Sequence, residues 1–183
     1  MTGPGSVGAD ERLRLFFGLP LPDDAACTVE RWQQAELGVA GRIVSREHLH
    51  VTLAFLGSRP RVELCALLEA LRASAERARP PCFSARRYRE TLSVGMLVLD
   101  DEGGSASALA EDLQRRLELL GVYRRERRSW LAHLTVLRFH TRPRLRPSVP
   151  GLAFSPSDAA LYHSVLRPSG ARYEVIESAA LGG

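Results

Sequence analysis

Between residues 12 and 19, apolar Leu13, Leu15, Phe17 and Leu19 alternate with Arg12, Arg14 and Phe16, the two-residue period of a strand. Pro20 to Asp23 closes that segment. Asp23 stands where a helix N-cap belongs, and Ala25, Val29 and Trp32 recur at helical spacing to about Leu37, where Gly38 and Gly41 break the pattern. A strand is predicted over 49–56, with Leu49, Val51, Leu53 and Phe55 on its core face and His50, Thr52 and Ala54 on the other. Leu64, Leu67, Leu68, Leu71, Ala75 and Ala78 make a helical stripe that ends at Pro80 and Pro81. Strands follow over 82–89 and 92–99, then a helix carried by Ala106, Leu109, Leu113, Leu117 and Leu120 and stopped by Gly121. A strand over 133–139 leads into a loop rich in arginine and proline. The chain closes in a hairpin over 159–166 and 172–176, turned through Pro168, Ser169 and Gly170.

The order β-α-β-α-β-β-α-β-β-β, with neighbouring strands antiparallel, favours an α+β fold over a doubly wound parallel sheet. Residues 1–10 are rich in glycine and small residues and are read as a disordered lead, followed by a single domain over 11–183. No stretch approaches the roughly 18 apolar residues of a membrane helix, so no membrane association is expected. Acidic Asp10 and Glu11 precede the first apolar run and no small-residue cleavage site follows it, so no secretory leader is expected and a cytoplasmic location is. Cys27, Cys65 and Cys82 are an odd set without a pairing motif and are expected to be reduced, mostly buried thiols rather than disulfide or zinc ligands. The net charge is +4, and all 25 basic residues are arginine. That bias fits a GC-rich genome, yet Arg124, Arg125, Arg127 and Arg128, and Arg142, Arg144 and Arg146, form clusters whose planar forks suit phosphate.

The informative feature is a repeated pattern: His50-Val51-Thr52-Leu53 recurs as His133-Leu134-Thr135-Val136. On a strand, residues i and i+2 share a face, so each motif presents an imidazole beside a hydroxyl while its other residues face the core. One motif lies in each half of the chain, which predicts two pseudo-symmetric lobes of mainly antiparallel sheet, helices packed outside, and the two histidines meeting across a central cleft. A neutral imidazole that takes a proton from water, opposite an imidazolium that protonates a leaving oxygen, suits in-line displacement at phosphorus. The threonine hydroxyls can donate to the phosphoryl oxygens. His48, His140 and His163 have no matching context and are expected at the surface or in loops. His48-x-His50 raises the alternative of a metal hydrolase, but no carboxylate cluster supplies further ligands, so no metal and no cofactor are expected.

At these residues the chain resembles the two-histidine phosphoesterase superfamily, specifically the LigT-like (ThpR) RNA 2′,3′-cyclic phosphodiesterases. The resemblance takes in Arg12 to Phe17, Leu21-Pro22-Asp23, the run His50 to Gly57, and Leu161 to Gly170 through Tyr173. It implies a bilobal α+β fold with a cleft and hydrolysis of an RNA 2′,3′-cyclic phosphate end to a 2′-phosphomonoester; the expected partner is such an RNA end, tRNA fragments or cyclic nucleotides included, and a monomer is expected. His50 would be the proton donor to O3′ and His133 the acceptor that activates water; Thr52, Thr135 and Arg138 would hold the phosphate. Arg138 lies five residues beyond His133, the wrong parity for a regular strand, and reaches the cleft only through a bulge or at the strand's end. Two positions depart from the family's habit: Ala132 replaces a proline before the second motif, and Ile43 an aromatic. A reversible 2′–5′ RNA ligase, a nucleotide-level cyclic phosphodiesterase and a non-catalytic RNA-end-binding module are the alternatives.

Overall fold

The described residues, 11–167 and 170–182 of a computed structural model, form nine strands and three α-helices. In order these are β1 (Arg12–Pro20), α1 (Asp23–Glu36), β2 (Arg42–Ile43), β3 (His50–Pro60), α2 (Leu64–Arg77), β4 (Cys82–Glu90), β5 (Val94–Glu102), α3 (Ser105–Leu119), β6 (His133–Arg138), β7 (Ala153–Phe154), β8 (Asp158–Arg167) and β9 (Gly170–Ala180). The expected disordered lead, and Pro168 and Ser169 of the expected turn, lie outside the described residues.

All strands join one antiparallel sheet, ordered β7-β4-β5-β6-β3-β1-β8-β9, with β2 paired to β6 beside this path. The fold is α+β, as the mixed periodicities predict. One hydrophobic cluster unites the core-facing side chains of the central strands, Val51, Leu53, Leu134 and Val136, with Ala25, Val29 and Trp32 of α1, Leu67 and Leu71 of α2, and Leu109, Leu113 and Leu117 of α3. A second, small cluster of Phe16, Ala160 and Tyr162, with Tyr173 against it, covers part of the opposite face. The sheet divides into halves, β3-β1-β8-β9 and β6-β5-β4-β7, and the succession β1-α1-β3 returns in the other half as β5-α3-β6.

Several boundaries move for identifiable reasons. Pro22, not Asp23, is the N-cap of α1; its fixed φ of −57° starts the helix, and Asp23 and Asp24 occupy the first turn, where carboxylates meet the positive end of the helix dipole. β5 begins at Val94 because the Thr91 hydroxyl ties a turn to the Val94 backbone, leaving Leu92 exposed. The two-residue strands β2 and β7 are too short to show any period. The cysteines are free, but Cys65 and Cys82 are exposed and only Cys27 is half-buried, which corrects the expectation of mostly buried thiols.

Glu90 is the buried acid that fastens the arginine-rich loop after β6. Its carboxylate accepts from the backbone N–H of Arg144 (2.9 Å) and of Leu145 (2.8 Å), and from Arg142 Nε (3.1 Å). Glu90→Ala withdraws the acceptor from two backbone donors, while the exposed Arg142 guanidinium passes to solvent, so a loss of about 2 kcal/mol in urea unfolding is expected, with unchanged stability the contrary result.

Candidate active site

β3 and β6 meet at a single bridge, Val51 opposite Leu134. Both residues are fully buried on the helix side. Extending that antiparallel register by one residue each way sets His50 opposite Thr135 and Thr52 opposite His133, all four on the face turned away from the helices. The two motifs therefore lie head to tail about a local two-fold, each imidazole facing the other's hydroxyl. Trp130, three residues before His133, reinforces the junction by donating Nε1–H to the Thr52 carbonyl at 3.0 Å.

The histidines are oriented alike. His50 Nδ1 lies 2.8 Å from the His48 carbonyl and His133 Nδ1 lies 2.9 Å from the Leu131 carbonyl, in each case two residues back along the chain. A carbonyl only accepts, so Nδ1 carries the hydrogen in both rings and Nε2 is left for the cleft. The His50 ring is packed against Phe16 (centroids 4.7 Å apart), Tyr173 (5.4 Å) and Tyr162 (5.9 Å). Gly18, beside Thr52 on β1, makes room for it: a Cβ there would stand 3.2 Å from the imidazole Cδ2 and 3.2 Å from the Val51 carbonyl. Burial drives the His50 pKa down to about 4, with the charges of His133, Arg138 and His48 adding to the fall and the bond to the His48 carbonyl opposing it. His50 is therefore neutral at pH 7.

Beyond the threonines both strands carry the same irregularity. On β6 the pairing to β5 steps from Thr135–Met96 to Leu137–Gly95, leaving Val136 as an extra residue; on β3 the pairing to β1 steps from Thr52–Gly18 to Ala54–Phe17, leaving Leu53 extra. These bulges place two consecutive residues in the core, Val136 and Leu137 or Leu53 and Ala54, and reverse the parity of the positions beyond them. Arg138 thereby turns to the cleft face, as the family resemblance requires. Phe55, at the same offset from His50, turns with it and is 48% exposed, which corrects its expected place in the core and that of Ala54 on the cleft face. The Arg14 guanidinium lies over the Phe55 ring, 4.7 Å from its centroid.

These side chains wall a hollow of about 1020 Å³ that includes His50, Thr52, Thr135 and Arg138. His133 is half-buried at its edge rather than among the wall residues, although its charge is felt at His50. The wall is cationic, with Arg14, Arg42, Arg167 and Arg172 joining Arg138, and Glu47 is the one acid among the described lining residues. The Ser45 hydroxyl, donating at 2.7 Å, and the backbone hold the Glu47 carboxyl below its ordinary range. Among the described residues no group of three or more histidine, cysteine, aspartate or glutamate side chains is placed to hold a metal ion.

A family model described as LigT like Phosphoesterase matches residues 19–89. An RNA 2′,3′-cyclic phosphodiesterase of Thermus thermophilus is 32% identical over 185 residues, 93% of this chain and 91% of that protein. The chain belongs to the LigT-like phosphoesterase family. The crystal structure of TT0787 of Thermus thermophilus superposes with a TM-score of 0.78 at 31% identity, covering 93% of this chain and 99% of that one. Apo LigT of Escherichia coli does so with a TM-score of 0.77 at 26% identity, covering 95% and 100%.

Within this LigT-like frame, all five residues singled out in the sequence, His50, Thr52, His133, Thr135 and Arg138, gather around the junction of β3 and β6. His48 is not a bystander: its ring lies 4.7 Å from that of Tyr173 in the cleft wall, and its carbonyl sets the His50 tautomer. His140 is exposed, as expected, and His163 is half-buried beside Glu174 on β9. Sequence reasoning missed Phe55, Arg14 and Tyr173. For Phe55 the signal was present, since the parity argument that moves Arg138 applies five residues after His50 as well. At the departures from family habit, Ala132 is fixed by its carbonyl accepting from Leu99 N–H at 2.9 Å, and Ile43 pairs with Leu137 in the cleft wall.

The depressed His50 pKa has a stability consequence with a definite sign. Between the ordinary histidine value near 6.5 and about 4, the unfolded chain binds a proton that the native site refuses, so stability falls as pH drops through that window. The full loss is about 3 kcal/mol. Urea unfolding at pH 7.5 and 4.5 is expected to show wild type losing about 2.5 kcal/mol more than His50→Gln; equal losses would show that the ring is not held neutral.

Proposed function

We propose that this chain hydrolyses 2′,3′-cyclic phosphates at RNA ends to 2′-phosphomonoesters by metal-independent acid–base catalysis. The observation that carries this reading is the facing pair of His-x-Thr strands, in which both imidazoles are fixed through Nδ1 and left with Nε2 free. His133 removes a proton from water, the water oxygen attacks phosphorus opposite O3′, and His50 delivers a proton to O3′ as that bond breaks. Thr52 and Thr135 donate to the phosphoryl oxygens, and Arg138 pairs with the charge that grows on them. Phe55 with Arg14 over its ring offers a flat, cation-backed surface for the terminal base. The Thermus relative's name, an RNA 2′,3′-cyclic phosphodiesterase, supports the substrate class, and the three free thiols fit a reducing cytoplasm. No helix among the described residues is long and apolar enough to cross a membrane.

The roles follow from charge at the moment of reaction. His50, otherwise neutral, gains its proton as the anionic cyclic phosphate binds beside it, since an opposite charge offsets the burial that depresses its pKa. That same low pKa favours a second reading with the roles exchanged, because a neutral imidazole at pH 7 is already a base. A cyclic phosphate analogue with a low-pKa leaving group at O3′ separates the two. His50→Ala and His133→Ala are each expected to lose at least about 10² to 10⁴-fold on the RNA substrate. On the activated substrate only His50→Ala should recover; recovery of His133→Ala instead would establish the exchanged roles, and full activity of both variants on RNA would falsify the two-histidine reading.

A second test addresses the substrate's size. Arg14 and Arg167 line the cleft on the β1 and β8 side without a carboxylate partner among the described residues, positions suited to phosphates upstream of the reacting end. Turnover of a cyclic-phosphate-ended oligonucleotide should fall with rising salt, with a log–log slope of about −0.7 per phosphate contacted, while a cyclic mononucleotide should show little dependence. Equal efficiency and equal salt dependence on both would mark a nucleotide-level enzyme. Products joined through 2′–5′ linkages would show that a ribose hydroxyl takes the place of water.

A further inference from the structure

Each bulge that redirects Arg138 or Phe55 is held by a glutamine amide from a helix of the opposite half. Gln33 of α1 is fully buried, and its Nε2 donates to the carbonyl of Val136, the extra residue of the β6 bulge, at 2.8 Å, and to the carbonyl of Val44 at 3.0 Å. Gln114 of α3 donates Nε2 to the carbonyl of Leu53, the extra residue of the β3 bulge, at 2.8 Å. Helix α1 follows β1 yet serves the second motif; α3 follows β5 yet serves the first. The correspondence is therefore the same pseudo-two-fold that relates the histidines, extended to the helix layer.

The energetic logic is local. A bulge breaks the regular ladder and leaves a backbone carbonyl aimed away from its neighbouring strand, where it needs a donor from elsewhere, and here the helix layer supplies one. The Val136 carbonyl also accepts from Val44 N–H at 3.1 Å, so β6, the segment after β2 and α1 are knotted at one point. That segment continues through Ser45 to His48, whose carbonyl orients His50. Gln33 Oε1 is buried without a partner among the described residues. An apolar side chain of the same length would remove that oxygen but would also withdraw the donor from the Val44 and Val136 carbonyls, so the amide is kept for the two carbonyls it holds.

We infer that Gln33 and Gln114 are positioning residues of the phosphoesterase site, fixing the two bulges so that Arg138 and Phe55 present themselves to the phosphate and the base. The inference rests on the function proposed above for its kinetic arm, but not for its binding arm. Methionine matches glutamine in length and removes the donor, so the test uses Gln33→Met and Gln114→Met, alone and combined with Arg138→Ala or Phe55→Ala. Each single variant is expected to lower kcat/KM on cyclic-phosphate RNA by about five- to tenfold, the value of one or two hydrogen bonds. Coupling should be selective: Gln33→Met adds less than about twofold to Arg138→Ala but acts in full on Phe55→Ala, and Gln114→Met shows the converse.

A merely structural role would lower stability and multiply with both partners alike, so undiminished effects in every double variant would overturn the inference, as would wild-type kinetics in both single variants. Affinity for inorganic phosphate, measured by calorimetry, supplies the arm that needs no turnover. Gln33→Met should weaken it by about the same factor as it lowers kcat/KM, and Gln114→Met should not. If wild type fails to turn over cyclic-phosphate RNA while Gln33→Met still weakens phosphate binding, the proposed function falls and the positioning role stands. Should Gln33→Met not fold, the partly buried Gln114 carries the selective-coupling test through Phe55.

Discussion

The arrangement of the site depends on one antiparallel bridge, between Val51 and Leu134. Strand parity makes that contact decisive. With these two side chains in the core, the residues on either side of each must face the other way, and the register then leaves no choice but to set each histidine opposite the other motif's threonine. A slip of one residue on either strand would drive two polar side chains into the leucine-rich helix layer and lift Val51 or Leu134 into the cleft. Burial of a few aliphatic side chains, at about 25 cal/mol per Å² of apolar surface, thus fixes the position of chemistry that contributes nothing to burial. The Trp130 bond to the Thr52 carbonyl pins the same junction from the loop preceding His133.

Parity also explains what the sequence disclosed and what it hid. The alternation of Leu13 to Leu19 and the stripe of Leu64 to Ala78 are direct records of burial, and the elements they predict are present within a few residues. The two His-x-Thr motifs are legible because two-residue spacing maps onto one face of a strand without further information. Past the threonine that map fails. A bulge leaves no mark in composition, so Phe55 reads as a core residue by alternation and is in fact on the cleft; Arg138 escaped the same error only because the family resemblance demanded its presence. Contacts such as Gln33 to Val136 and Arg14 to Phe55 join residues far apart in the chain, and no local pattern announces them.

The electrostatic character of the cleft is a compromise between two demands. Arginines at its wall raise the local potential for an anion, while the aromatic packing of Phe16, Tyr162 and Tyr173 around His50 removes water and penalises charge on that ring. On the proposed reading, a histidine kept neutral until an anion arrives is poised rather than disabled: the burial that lowers its pKa is the same that would strengthen its interaction with a phosphate. The rigid Nδ1 bond to the His48 carbonyl matters here, because it holds Nε2 in place whichever charge the ring carries.

A symmetric backbone must still carry out a directional reaction. Both halves supply an imidazole anchored two residues back, a threonine, a bulge and a glutamine beneath it, and these shared features do not distinguish the entering from the leaving side. The difference resides in what each bulge delivers: an aromatic five residues after His50 and a guanidinium five residues after His133. On the proposed reading, the base stacks near Phe55, which brings the ribose and its O3′ to the His50 side, while Arg138 draws the phosphate toward His133 and the attacking water. Among the described residues the aromatic cage around His50 has no counterpart in ring contacts of His133, which is half-buried. On that reading direction arises from side chains placed on equivalent positions of a duplicated frame, and exchanging Phe55 and Arg138 would alter the orientation of the substrate while leaving the two histidines in place.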